Sequence, residues 1–66
     1  MHIFVNGQPI DIPTSCSIAD LIEHLELNSG PVAVERNREI IPRIQHSSTH
    51  VEEGDVLEIV NFVGGG

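Results

Sequence analysis

The residues best placed to do chemistry stand at the end of the chain, where Gly64, Gly65 and Gly66 follow one another directly. Glycine has no Cβ and loses the most conformational freedom on ordering, so residues 64–66 read as a flexible, extended tail. From Val63 that tail reaches at most ~13 Å, which suits a narrow channel on another protein while the globule stays outside. A carboxylate on Gly66 is a poor electrophile at neutral pH. Its attack on the α-phosphate of ATP, however, would give a mixed anhydride that a sulfur or nitrogen nucleophile opens, and glycine leaves both faces of the acyl carbon uncovered. The plainer alternative is a frayed terminus without a role. Against it, the triplet leaves directly from an apolar stretch, residues 56–63, that has the pattern of a core strand.

The other reactive side chains carry less. Cys16 is the only cysteine, and no neighbouring cation in the sequence would lower its pKa. A packed, inert thiol is therefore expected. His46 and His50 have the i, i+4 spacing of a zinc pair on a helix, but their segment has no apolar helical stripe and no nearby cysteine or well-spaced carboxylate. They read as solvated loop histidines, and His2 and His24 lack even that spacing, so no metal is expected. Arg36, Arg38 and Arg43 hold all three positive charges. Glu35 and Glu39 interleave them, which suggests exchanging surface ion pairs of little individual worth, with Arg43 as the candidate partner contact.

Composition sets the limits within which these residues act. The chain has 66 residues, a formal charge of −7, no Trp or Tyr and two Phe. A chain of this length buries only about 60% of its unfolded surface, enough for one small domain, with boundaries placed at 1–63, and too little for an enclosed active site. An enzyme acting alone is not expected. The absence of lysine argues against nucleic acid, and an acidic surface instead fits a basic protein partner. The start of the chain shows neither a basic region nor a long apolar run. No stretch approaches the ~20 residues that span a bilayer. A lone cysteine fits a reducing compartment. The expectation is a cytoplasmic protein, monomeric when free and with no bound cofactor.

The elements that must position the tail are legible from period and punctuation. Residues 2–6 alternate as a strand with Ile3 and Val5 inward and Phe4 outward. Asn6-Gly7 is a type I′ hairpin signal, and residues 8–12 return with Ile10 and Ile12 inward. Pro9 and Pro13 bound that strand. Ser17 caps a helix whose Ile18, Leu21, Ile22 and Leu25 form one apolar stripe, with Asp20 in its first turn. The run Asn28-Ser29-Gly30-Pro31 reads as the helix stop, supplying the residue tolerant of a left-handed backbone. A third strand at 32–37, with Val32 and Val34 inward, leads by a tight turn to a short edge strand at 38–42 carrying Ile40 inward. One irregular or 3₁₀ turn follows within 43–50, then a turn at 51–55. The last strand, 56–62, puts Leu57 and Ile59 in the core.

Two strands, a helix and three shorter strands give an α+β fold, a mixed four- to five-stranded sheet with one helix packed across one face. Taken with the opening Met1-His2-Ile3-Phe4-Val5, the capped helix, Gly54-Asp55 and the terminal Gly65-Gly66, this resembles the ubiquitin-like β-grasp family. Asn37-Arg38-Glu39-Ile40-Ile41-Pro42-Arg43, with Glu58-Ile59-Val60-Asn61-Phe62-Val63-Gly64-Gly65-Gly66, narrows the resemblance to the sulfur carrier proteins of thiamine biosynthesis. It runs the full length of the chain.

That resemblance implies a cycle run by partners. An activating enzyme would use ATP to adenylate Gly66, and sulfur from a cysteine desulfurase would replace AMP to give a thiocarboxylate, which donates sulfur to thiazole synthase. Gly64 and Gly65 would provide clearance in the partner channels. Strand parity then suggests a docking face beside the tail, built from Phe4, Val60 and Phe62 with Glu58 to orient a basic partner. The alternative for Phe62 is that it folds over an edge of the core. Rival readings are the small subunit of molybdopterin synthase, a ubiquitin-like protein modifier, and a non-covalent β-grasp binding module.

Overall fold

The computed structural model describes residues 1–62. Val63 and the tail residues Gly64, Gly65 and Gly66 lie outside the described residues. Within them the chain forms β1 (His2–Val5), β2 (Gln8–Asp11), α1 (Ile18–His24), β3 (Val32–Arg36), β4 (Glu39–Ile41), a 3₁₀ turn (Arg43–Gln45) and β5 (Val56–Asn61). The strands make one five-stranded sheet in the order β2-β1-β5-β3-β4. Only β1 and β5 pair in parallel, with Phe4 beside Val56 and Val5 beside Leu57; the other pairs are antiparallel.

Local chemistry explains the turns. Asn6 and Gly7 have φ of 51° and 82°, the paired left-handed geometry that a two-residue hairpin needs. Asn37 and Arg38 repeat it at 50° and 70° between β3 and β4. Ser17 caps α1 by accepting a hydrogen bond from the Asp20 amide at 3.0 Å. The helix stops earlier than the Asn28-Ser29-Gly30 signal suggests. Glu26 takes the left-handed position at φ 59°. Its amide donates to the Glu23 carbonyl, and the Leu27 amide to the Ile22 carbonyl, the two bonds of a Schellman closure.

One face of the sheet and the apolar stripe of α1 make the core: Ile3, Val5, Ile12, Ile18, Leu21, Ile22, Val34, Val51, Leu57 and Ile59. Ile10, Leu25 and Val32 pack against it only partly buried. Two assignments change, one inward and one in a turn. Ile40 is 78% exposed, because the two-residue turn sets Arg36 opposite Glu39 and so places Ile41, not Ile40, beside Val34. A one-residue change of register exchanges the faces of a strand. Val51 is fully buried although it sits in a turn-like segment. Its amide donates to the Cys16 carbonyl, and its own carbonyl accepts from the Ser15 hydroxyl, fastening the approach to β5 against the approach to α1.

Candidate functional site

Alternation along β1 and β5 leaves the sheet face away from α1 uncovered. Phe4, Val56, Val60 and Phe62 are 43%, 50%, 52% and 56% exposed. Phe4 is the parallel partner of Val56, and Val60 pairs with the exposed Ala33 of β3. These residues share one face of the sheet, Phe4 and Val56 toward the start of β5 and Val60 and Phe62 toward its end, with Glu58 between them. Phe62 does not fold over the core edge. It follows the end of β5 in an extended ladder, its amide donating to the Pro31 carbonyl at 2.9 Å. Val56 and the exposed Ile40 extend the patch beyond the residues picked out from sequence. Val56 is discoverable from its parity, which it shares with Glu58 and Val60, whereas Ile40 requires the register of β4.

The patch carries an electrostatic marker. Glu35 and Glu58 stand directly opposite one another across β3 and β5, although like charges in that relation weaken a sheet. With Asn37, Arg38 and Val56 they line an open cavity of about 440 Å³. Arg38 is the one cation in that lining.

Arg43 is elsewhere. It is exposed at the start of the 3₁₀ turn and lines a different cavity of about 320 Å³ with Ala19 and Ile22 of the helix, Asn28, Gly30, Val32 and His46. The structure thus separates Arg43 from Phe4, Glu58, Val60 and Phe62. Arg36 is not part of an exchanging surface network either. Its guanidinium donates to the His50 carbonyl at 3.0 Å and lies 3.6 Å from the carboxylate of Asp55. Buried Asp55 also accepts from the Asn37 side chain at 3.1 Å and the Glu52 amide at 2.8 Å. This network holds the β3–β4 turn against the start of β5.

His46 is a core residue and not a solvated loop histidine. It is buried, and its Nε2 lies 3.0 Å from the Ile41 carbonyl, which requires that nitrogen to donate. His50 is exposed and forms an isolated bridge with Ser17. Cys16 is half-buried in a cavity with Leu21, Asp20 and His24. Burial, and secondarily the charge of Asp20, push its thiol pKa up, so the group is a poor nucleophile. Among the described residues no helix is long and apolar enough to cross a membrane.

At the end of β5 two contacts hold the last described residues. Asn61 donates from its side chain to the Leu27 carbonyl, and Gly30 lies against the backbone of Phe62. Known proteins share this fold. The crystal structure of the thiamine biosynthesis protein ThiS from Geobacter metallireducens superposes with a TM-score of 0.84 at 33% identity, covering all of both chains. The sulfur carrier protein ThiS of Bacillus subtilis (strain 168) is 44% identical over 50 residues, 76% of each chain. A thiazole synthase of Paramagnetospirillum magneticum is 41% identical over all 66 residues, and the chain spans 20% of that synthase's length. These names lie on the thiamine branch and not on the molybdopterin one. Residues 3–66 match the ThiS family, and the fold agrees with that of a solved member: the chain belongs to the ThiS family.

Proposed function

We propose that this chain is a sulfur carrier for thiazole formation in thiamine biosynthesis, a co-substrate that partner enzymes act upon rather than a catalyst. The observation that carries the reading is a family match that continues through the glycine triplet, residues 3–66. An activating enzyme uses ATP to adenylate the Gly66 carboxylate with release of pyrophosphate; the outer sulfur of a cysteine desulfurase persulfide displaces AMP to give an acyl disulfide, and a second thiol cleaves its S–S bond, leaving the thiocarboxylate on Gly66 and the donor sulfur in a disulfide. The resulting thiocarboxylate is ionised at neutral pH and a far better nucleophile than the oxygen acid. Because it stays attached to a protein, sulfur transfer is governed by docking and no free sulfide is released. Thiazole synthase as acceptor is supported by the relative of that name, in which a segment like this chain is part of the polypeptide.

Phe4, Val60 and Phe62, joined by Val56, form the face that meets the activating enzyme, and Glu58 with Glu35 orients its basic surface. Gly64 and Gly65 supply clearance in the partner channel. Arg43, on the helix side, serves only a partner that reaches around the β4 edge. The cycle belongs in the cytoplasm.

Incubation with a ThiS-activating enzyme, ATP, cysteine and a desulfurase, followed by intact mass measurement, tests the proposal. Adenylation and then exchange of one oxygen for sulfur at Gly66 are expected, and a chain lacking Gly65 and Gly66 should show neither. Absence of both from the full chain sinks the reading. Assembly with a molybdopterin synthase large subunit in place of sulfur transfer to thiazole synthase would move it to the rival branch.

A further inference from the structure

Two hairpin turns of this chain share one backbone geometry and differ in their second residue. Asn6 and Gly7 join β1 to β2 with φ of 51° and 82°, and Asn37 and Arg38 join β3 to β4 with φ of 50° and 70°. Glycine and asparagine tolerate the left-handed region, whereas an arginine there sets its Cβ against a backbone carbonyl oxygen. Nothing in the hairpin requires that cost. Glycine at position 38 would keep the two-residue turn and the register that sets Arg36 opposite Glu39. The turn is also held without the Arg38 side chain: the Asn37 side chain donates to the Asp55 carboxylate at 3.1 Å and accepts from the Val56 amide at 3.0 Å, and the Asn37 amide donates to the Val56 carbonyl at 2.8 Å. Arg38 is exposed. Among the described residues its guanidinium makes no ion pair or side-chain hydrogen bond, although the chain has ten acidic residues. A strained residue with no task inside the fold points to a task outside it.

We infer that Arg38 is a specificity-determining residue of the docking face, held ready for a carboxylate on the activating enzyme. The inference rests on the proposed carrier role and deepens it. Arg38 lines the open cavity of about 440 Å³ together with Glu35, Asn37, Val56 and Glu58. The face therefore offers two facing negative charges and, beside them, one cation. A uniformly basic partner surface complements the glutamates but is repelled by Arg38. Only a surface that sets a carboxylate next to its cations matches all three, and such alternation of sign fixes register and rejects wrong partners. Arginine suits the task because its planar fork holds a carboxylate through two parallel hydrogen bonds. Its stem leaves a turn that is already fastened to β5, so little backbone freedom is lost on docking.

The test measures Tm of the free chain and, by titration calorimetry, Kd for a ThiS-activating enzyme, using the unaltered chain, Arg38→Gly, Arg38→Lys and Glu26→Gly. Arg38→Gly should raise Tm by about 4–8 °C as the left-handed cost is relieved. It should also weaken binding by about 10-fold, and by less at ~1 M salt. The sign of the second effect decides between two readings. Loss of the cation makes the chain more acidic than its formal −7, so general attraction to a basic partner would tighten binding. Glu26, exposed beyond the end of α1 at φ 59°, supplies the control: Glu26→Gly should give a similar rise in Tm and keep Kd within about 2-fold. Arg38→Lys, which keeps the charge without the fork, should bind with an affinity between those of the unaltered chain and Arg38→Gly. Unchanged or tighter binding by Arg38→Gly, an equal loss in Glu26→Gly, or a lower Tm for Arg38→Gly would overturn the inference and leave the carrier role standing. If the unaltered chain is neither bound nor adenylated by the enzyme, the carrier role fails and this inference with it.

Discussion

Replacing Glu58 by Gln should stabilise the free chain and weaken its association with a basic partner, and the size of the first effect follows from the sheet register. Glu35 and Glu58 are direct cross-strand partners on the open face, where facing side chains start about 5 Å apart. Two unit charges at that distance in a dielectric near that of water repel by about 0.8 kcal/mol. With a Debye length of ~8 Å at physiological salt, about 0.4 kcal/mol survives, rising to about 0.7 at 0.01 M salt and falling to about 0.2 at 1 M. For a domain this small, 0.4 kcal/mol corresponds to a rise of about 2–3 °C in Tm. Because the repulsion needs both carboxylates, Glu35→Gln should give the same gain, and the double variant should give no more than either single one. Urea melts of the four proteins at three salt concentrations measure this as a double-mutant cycle. Additive gains, or a gain that does not shrink with salt, would refute the cross-strand origin. The same singles should slow association with the activating enzyme at low salt and leave it nearly unchanged at high salt.

Other predictions separate structural from exposed residues. Val51→Ala should cost about 2 kcal/mol, from two buried methyl groups and the void they leave, whereas Ile40→Ala should stay within about 0.5 kcal/mol; chemical denaturation checks both. Glu26→Gly should stabilise the fold by about 1 kcal/mol, since glycine relieves the left-handed cost at the helix C-terminus, read as an increase in Tm. With its pKa raised by burial and Asp20, Cys16 carries less thiolate than an ordinary thiol at any given pH. Its alkylation by iodoacetamide at pH 8 should therefore be slower than that of a model peptide, and its pH–rate profile should be displaced toward alkaline pH.

The features legible in the sequence are those decided within a few residues. Asn6-Gly7 needs only its own backbone preferences, Ser17 needs only the Asp20 amide, and the parity of β5 separates Leu57 and Ile59 from Val60 and Phe62 without reference to any other strand. Local alternation puts Ile40 on the wrong face because the parity of β4 depends on how many residues Asn37 and Arg38 leave for the turn. That choice puts a non-glycine residue, Arg38, at φ 70°, where sequence preference points elsewhere. Glu26 escapes a sequence reading for the same reason: a glutamate in the left-handed position has no local signature, and the glycine that advertises itself, Gly30, is needed for something else.

Gly30 shows where local reading ends and what the fold adds. Its requirement for a missing side chain comes from Phe62, which is distant in sequence and adjacent only because β5 lies between β1 and β3. That central placement of β5 does two things at once. Pairing with β1 on one side and β3 on the other sets Phe4, Val60 and the two glutamates on a single uncovered face. Pairing with β3 also brings the end of β5 against the connection that precedes β3. The open face and the close approach of Phe62 to Gly30 are therefore consequences of one topological choice. A substitution that shifts the β3–β5 register should disturb both together, while one confined to residues 27–31 disturbs the Phe62 contacts alone.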